Sequence, residues 1–512
     1  MAGDGNGLES LYKSEDWLGV WVGFFVIALV LAGVTITTPK LRWVTDGEFA
    51  SYIAGEKTQV EKLGKQAGEK GEADLQAAGT ALASAIEKGD RKGVGDAGKK
   101  FESAAKKVKD EGLKKKASKL GKDMGDHSGN TLSKVFSSQN IMWSVICGIG
   151  ILVLGVIAMS LLGRNVGSFI AGFPIIFILA WIGMLIPGNL TVRELGIEYV
   201  LWCLVLGLFV SNVIGLPDWL RAAVQTEFFI KTGLVILGSG ILFKEILEAG
   251  ALGIIQAIFV VGVIWYLTYL IARKMNVDEE FSAILASAVS ICGVSAAIAT
   301  SGAIKGDPKK LSYTTSIVLL CALPMLVFQP MIAKWVGMPD AVAGAWLGGT
   351  LDTSPSVVAA GAIISEAAMK VGVIVKMSQN VLIGVAAFIL AVVWTFKRAE
   401  EIPGAGKPSA MEIWYRFPKF VLGFIIASLV FSFILSPQTV NAVKGTLGNV
   451  RTIWFALAFV CIGLETRFVE LLELGGGRPA VAFLIGQGIN LIWTLILAYL
   501  LFGGILFAAP KF

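Results

Sequence analysis

Apolar runs of about 20 residues recur along this chain, each punctuated by Gly, Pro or a charge cluster, and one long polar stretch interrupts them near the N-terminus. That pattern predicts a polytopic α-helical membrane protein, because about 20 residues of helix span a bilayer core. A transmembrane β-barrel would alternate over segments of ~10 residues, which this chain does not do. The first run, 17–36, lacks a basic flank and a small-residue cleavage pattern, so it reads as a retained membrane helix. Its Gly19 and Gly23 stand in GxxxG spacing, which permits close helix approach, although chance is as good an explanation in a glycine-rich chain. Further spans are predicted at 141–162, 168–186, 196–214, 228–243, 251–271, 281–304, 314–336, 341–364, 371–394, 420–435, 451–468 and 480–502. The organisation is thus a tail (1–16), a first membrane helix (17–37), a polar insert (38–139) and a domain of about twelve membrane segments (140–512).

The insert is rich in Lys, Glu, Gly, Ala and Ser, and its few apolar residues recur three and four apart. It reads as a small soluble unit of two or three amphipathic helices joined by glycine-rich turns. Gly93, Gly98 and Lys99 imitate a phosphate-loop spacing, but Lys100 stands where Ser or Thr is required and no strand precedes it. The single histidine, His127, reads as a solvated surface residue. The acidic tail (Asp4, Glu9, Glu15, Asp16) against Lys40 and Arg42 beyond the first helix puts the insert in the cytoplasm by the positive-inside rule. Later basic residues, Arg164, Arg221, Arg273, Lys274, Lys397 and Arg398, cannot all lie on that same side.

Composition then narrows the function. Of 512 residues, 55% are hydrophobic and 16% charged, which excludes a cytosolic enzyme and a disordered chain. Net charge is +6, but the basic residues of the insert alternate with acids, so nucleic acid is not an expected partner. The 5 cysteines are unpaired in pattern and lie in apolar runs, arguing against a disulfide framework or a zinc site. No metal or organic cofactor is expected. An intramembrane enzyme is disfavoured, since Cys292 has no imidazole or carboxylate at useful spacing and no HExxH occurs.

Two spans contain breaks. In 281–304 the centre is Ser290-Ile291-Cys292-Gly293-Val294-Ser295-Ala296, where Gly293 fits a left-handed residue closing one half-helix and Ser295 fits the N-cap of the next. In 341–364, Gly348 and Gly349 can end a half-helix, and Asp352, Thr353, Ser354 and Pro355 read as an N-cap cluster with proline at the first helical position. Unwound backbone at mid-membrane is tolerated only where it is buried in protein or lines a cavity. Half-helix N-termini offer free N–H donors and partial positive charge, so two of them converging make an anion site. Candidate substrate-binding residues are Ser290, Cys292, Gly293, Ser295, Thr353, Ser354, Lys376 and Asn380. Asp352, costing roughly 2.5–3.5 kcal/mol at mid-membrane, is the candidate for a coupling Na+ or H+ together with Gln379; a capping role stays open. Lys376, Gln379 and Asn380 share one helix face, and Lys376 is placed to pair with Asp352 or attract the anion. Lys231 is expected to snorkel, Gln487 and Asn490 to bond between helices, and Glu198, Glu465 and Arg467 to sit at interfaces.

Shifting the chain by 225 residues lays Gly238, Phe243, Glu245, Leu247, Glu248 and Gly250 on Gly463, Phe468, Glu470, Leu472, Glu473 and Gly475, which fits equally an inverted repeat of the kind secondary transporters use and a chance alignment of helix ends of similar composition. At the two breaks, and at Gly344 to Thr353, Val357 to Gly361 and Val375-Lys376-Met377, the chain resembles the proposed sulfate exporter family, the YeiH-like bacterial inner-membrane proteins. The resemblance implies an inverted-repeat carrier organised like the bile acid and bicarbonate transporters, in the inner membrane, moving a sulfur oxyanion or organosulfonate. It departs from that family at Leu351, where a histidine is usual, at Ser354-Pro355, where a glutamine follows, and at Val294. The expectation is therefore an all-α secondary transporter with two discontinuous helices, binding a small anion, embedded in lipid and assembled as a homodimer. An anion channel is the alternative.

Overall fold

The computed structural model describes residues 10–34, 36–194, 199–399, 418–467 and 477–510, with the backbone alone for 395–399. These residues are almost entirely helical; among them there is no strand, only an isolated bridge between Trp43 and Asn189. Among the described residues, each of the twelve apolar segments expected after the first helix is mostly helical, and 8 helices are long and apolar enough to cross a membrane. Several boundaries differ: the helix expected at 228–243 ends at Gly238, the one expected at 251–271 begins at Phe243, and the one expected at 451–468 begins at Pro437, where Ser436 caps it and proline occupies its first turn. Glu198, the side chains of Lys397 and Arg398, and the repeat positions Phe468, Glu470, Leu472, Glu473 and Gly475 lie outside the described residues.

The chain divides into two compact units. One comprises Thr37–Gly150 with Ile182–Tyr199. It contains four amphipathic helices rather than two or three: Asp46–Glu69, Ala73–Lys88, Arg91–Ala105 and Glu111–Gly129. Their starts are written locally, by a Thr45/Glu48 capping box and by Asp90 and Asp110 at N-caps. Many of the glycines read as turn residues instead sit inside helices where backbones touch. A Cβ on Gly121 would come within 2.7 Å of Gly98 O, and one on Gly79 within 3.2 Å of Gly64 Cα. Phe49, Val60, Leu82, Val94, Phe101 and Met124 fill the core behind those contacts. The phosphate-loop imitation falls within the Arg91–Ala105 helix and forms no loop.

Arg91 fastens this unit. It donates to the carbonyls of Val44, His127, Ser128 and Asn130, pairs with Asp46 at 2.6 Å, and covers the Phe49 ring. His127 is half-buried rather than solvated, packed edge-on against Tyr52 with Nε2 3.2 Å from Arg193. Burial, with the Arg193 charge adding to it, lowers the His127 pKa. Glu48 accepts from Thr45, Thr191 and Asn189, tying the 182–194 segment to the first helix of the unit. Burial alone would raise its carboxyl, but the Thr191, Thr45 and Asn189 hydrogen bonds prevail and hold it at about 2.

The other unit comprises Met1–Ile36, Ile151–Trp181 and Val200–Phe512. One group of its helices gathers Glu15–Leu31, Thr226–Gly238, Lys419–Leu429 and Pro437–Glu465. The GxxxG pair does serve close approach there, since a Cβ on Gly19 or Gly23 would come within 2.9 Å of Lys231 or 2.7 Å of Val235. Lys231 ends in ion pairs with Asp16 at 2.7 Å and Glu227 at 3.4 Å. The second group packs Phe243–Lys274, Pro308–Val336, Glu366–Ala399 and Arg478–Phe502 around two interrupted helices. Gly344 and Gly348 let one of these lie directly on Glu366–Ala399, where added Cβ atoms would sit 2.5–2.6 Å from Ala368 O and Gly372 O.

Candidate functional site

The first interrupted helix runs Glu279–Ser287, passes through a π-turn at Ala288–Cys292, and restarts at Gly293–Ile304. Gly293 has φ +42°, so glycine is required, as expected; a Cβ there would also meet Val318 at 2.6 Å and Asp352 O at 2.9 Å. Ser295 is not the N-cap. The helix restarts at Gly293 itself, Cys292 holds the cap position without a capping side-chain bond, and Ser295 is exposed within the first turn.

The second runs Asp340–Thr350 and restarts at Ser354–Ile364. Gly348 and Gly349 remain inside the last turn, and the chain leaves helical geometry at Leu351. The N-cap is Thr353, accepting from Ser356 N, not Asp352; Pro355 follows Ser354 into the first turn, at its second position. Asp352 is 2% exposed, and its Oδ2 has no hydrogen-bond partner.

The two breaks touch through Gly293 and Asp352. A buried polar set from neighbouring helices meets backbone carbonyls at and near each interruption. Lys376 Nζ donates to Ile291 O at 2.6 Å and to Gln379 Oε1 at 2.9 Å. Gln379 Nε2 donates to Ser290 O at 2.8 Å, and Asn490 Nδ2 to Val289 O at 3.2 Å. At the second break Gln487 Nε2 donates to Thr350 O and Gln256 Nε2 to Ala345 O, each at 2.8 Å. Satisfying these groups matters because an unpaired buried carbonyl costs roughly 1–3 kcal/mol. Gln487 and Asn490 therefore bond between helices as expected. Lys376 is committed to the first break, rather than to Asp352.

The structure thus unites Gly293, Asp352, Lys376, Gln379 and Asn380 around both breaks, Asn380 Nδ2 reaching Ser354 Oγ at 3.2 Å. Ser290 turns its hydroxyl back to Ala286 O, and Cys292 is a buried free thiol. Thr353, Pro355 and Ser356 line a cavity of about 260 Å³ whose other walls include Thr226, Glu227, Ser316, Glu465, Thr466 and Arg467. Glu465 and Arg467, expected at an interface, therefore face the N-terminus of the second half-helix. Sequence pattern missed Gln256 and Gln329, whose only signal is an amide inside an apolar run. Among the described residues no group of three or more His, Cys, Asp or Glu could hold a metal ion.

A family model described as Conserved hypothetical protein 698 matches residues 171–482. A UPF0324 membrane protein of Rhodopirellula baltica is 36% identical over 510 residues, covering 96% of this chain and 90% of that protein, so the similarity takes in the polar insert. A UPF0324 membrane protein of Nitratidesulfovibrio vulgaris is 37% identical over 358 residues, 68% of this chain and 62% of its own length. One from Nitrosomonas europaea is 32% identical, covering 60% of this chain and 73% of that protein. No solved structure matches this chain.

Proposed function

The chain belongs to the UPF0324 family of multi-pass membrane proteins, and from that premise we propose that it is a secondary active transporter of a small anion. The observation that carries the reading is the contact of two interrupted helices, Gly293 against Asp352, beside a cavity into which Thr353 and Ser356 present a half-helix N-terminus. An anion held by those N–H groups needs no buried arginine. The cavity has walls from both helix groups, Thr226 and Glu465 on one side and Ser316 and Thr353 on the other, so movement of one group along the other opens it alternately. Sulfur oxyanions and organosulfonates are the substrate class favoured by the resemblance at residues 290–296 and 344–353.

The inverted-repeat organisation is part of the same reading. Helix Tyr199–Phe209 runs into a π-turn at Val210–Gly215, and Lys419–Leu429 runs into one at Val430–Ile434. Each is followed shortly by proline, Pro217 and Pro437, and then by helices that pack on their counterparts: Thr226–Gly238 on Pro437–Glu465, and Phe243–Lys274 on Arg478–Phe502. Gly463 abuts the Tyr199–Phe209 helix at Leu204 O, and Gly238 abuts the Lys419–Leu429 helix at Phe424 O, an added Cβ coming within 2.4 Å in each case. The proposal extends to the bacterial inner membrane, a cytoplasmic insert and a homodimer, with Na+ or H+ as the coupling ion.

The test is counterflow in proteoliposomes with labelled sulfate, sulfite, thiosulfate and taurine, after a thermal-shift screen to choose the ligand; a ligand at 100 times its Kd should stabilise by about 2.7 kcal/mol. Saturable exchange against a gradient, weakened by Thr353→Val and Ser356→Ala, supports the transporter. Non-saturating flux without exchange would turn the reading to a channel.

A further inference from the structure

The cavity beside the second break carries both signs of charge. On one wall the Ser354–Ile364 helix begins, with Thr353 and Ser356 presenting its N-terminus. On the facing wall stands Glu465, the last residue of helix Pro437–Glu465, where the negative end of that helix adds to its carboxylate. Among the described residues no lysine or arginine forms an ion pair with Glu465, although Arg467 lines the same cavity. Glu227, the other carboxylate of the cavity, differs in being paired with Lys231 at 3.4 Å. Thr226 is 6% exposed, and its hydroxyl, beside Glu465, is buried without a hydrogen-bond partner. An anion seated on the N-terminus at Thr353 therefore meets a carboxylate across the cavity, and like charges walled in by protein repel. A molecule that carries its own cation at the far end turns that repulsion into a charge-assisted hydrogen bond.

We infer that this cavity takes a small zwitterion, its anionic group on the N–H groups at Thr353 to Ser356 and its ammonium on Glu465 and Thr226. An ammonium brings three donors, and the Glu465 carboxylate and Thr226 Oγ1 supply acceptors for them. A lone tetrahedral oxyanion fills only part of about 260 Å³, which leaves room for a short carbon chain between the two charges. The two poles belong to the two helix groups, so a bound zwitterion bridges them, whereas a plain anion engages one. Glu465 is on this account a specificity-determining residue, which rejects plain anions as well as holding the amine. The inference deepens the transporter reading by narrowing the organosulfonates to those that carry an amine, and it rests on that reading only for the fate of the bound molecule.

Ligand titrations of the detergent-purified full chain, read by thermal shift, test it with matched pairs. Taurine is set against isethionate, which replaces the amine with a hydroxyl, and β-alanine against propionate, with sulfate as the plain anion. In at least one pair the amine-bearing member should bind roughly 10- to 100-fold more tightly. Glu465→Gln should collapse that ratio toward one, Glu465→Asp should retain part of it, and Thr226→Val should narrow it. Melting and monodispersity without ligand show that each variant is folded. Equal binding within both pairs by the native protein overturns the inference, as does binding of none of these solutes or an undiminished ratio in folded Glu465→Gln. Counterflow in liposomes separates the two failures. Saturable exchange of sulfate or isethionate as strong as that of taurine and β-alanine removes the zwitterion and leaves the transporter, whereas amine-selective binding without flux keeps the site and removes the transporter.

Discussion

The two interrupted helices do the same thing by different means. The second is encoded in its own residues: Thr353 caps it, Ser356 answers, and Pro355 fixes the first turn. The first has no capping side chain; it turns on the positive φ of Gly293, and its freed carbonyls are met by Lys376, Gln379 and Asn490 from two other helices. One break carries its own start signal beside an outside donor, Gln487 on Thr350 O, and the other is held open by its surroundings alone. A locally coded break should tolerate loss of a cap, whereas one imposed by tertiary contacts should fail when its glycine or its outside donors are changed.

The largest effect is expected at Gly293. Gly293→Val combines a left-handed penalty of about 1–2 kcal/mol with overpacking against Val318 and Asp352 of about 1–3 kcal/mol. Melting in detergent should fall sharply and flux should vanish; a folded, active variant would break the comparison. Lys376→Met removes the donor to Ile291 O and Gln379 Oε1 and should cost about 1.5–3 kcal/mol. Its melting point should fall further than that of Thr353→Val, for which loss of the cap predicts about 1 kcal/mol. Equal losses would mean that both breaks are braced alike.

The smallest effects belong to the polar unit. Glu48, held at about 2 against an ordinary 4.5, contributes stability that is complete above pH 4.5 and lost as pH falls toward 2. His127, whose pKa is lowered by burial, works in the same direction from below pH 6.5, because the unfolded chain takes up its proton more readily. Hydrogen exchange of helix Asp46–Glu69 between pH 7 and 2 reads both, and Glu48→Gln should flatten the limb below pH 4.5. A profile unchanged by that substitution would remove the Glu48 contribution.

Much of this was legible without coordinates. The apolar runs returned as helices, Gly293 returned as a positive-φ break, and the Thr353-Ser354-Pro355 cluster returned as a helix start, because each depends on neighbours in sequence. Errors arose where a polar residue had two possible local roles. Asp352 and Thr353 both suit an N-cap, and only backbone geometry assigned it to Thr353. Ser295 follows a glycine as a cap would, but the helix had already restarted. Glycines of the polar unit read as turns because composition does not distinguish a bend from a helix crossing such as Gly98 on Gly121.

The sequence by itself determined a multi-helix membrane protein, where two helices must break, and that a buried aspartate lies at one break. Those properties follow from short-range physics: hydrophobic length, backbone freedom and capping. Only the tertiary structure decided that the breaks meet, that Lys376 serves the first and not Asp352, that Gln329 and Gln487 leave oxygens unpaired at the second, and that Glu465 and Arg467 face its N-terminus. Which donor meets which carbonyl is fixed by packing between helices far apart in the chain, as for Asn490 and Val289, and no local pattern records it.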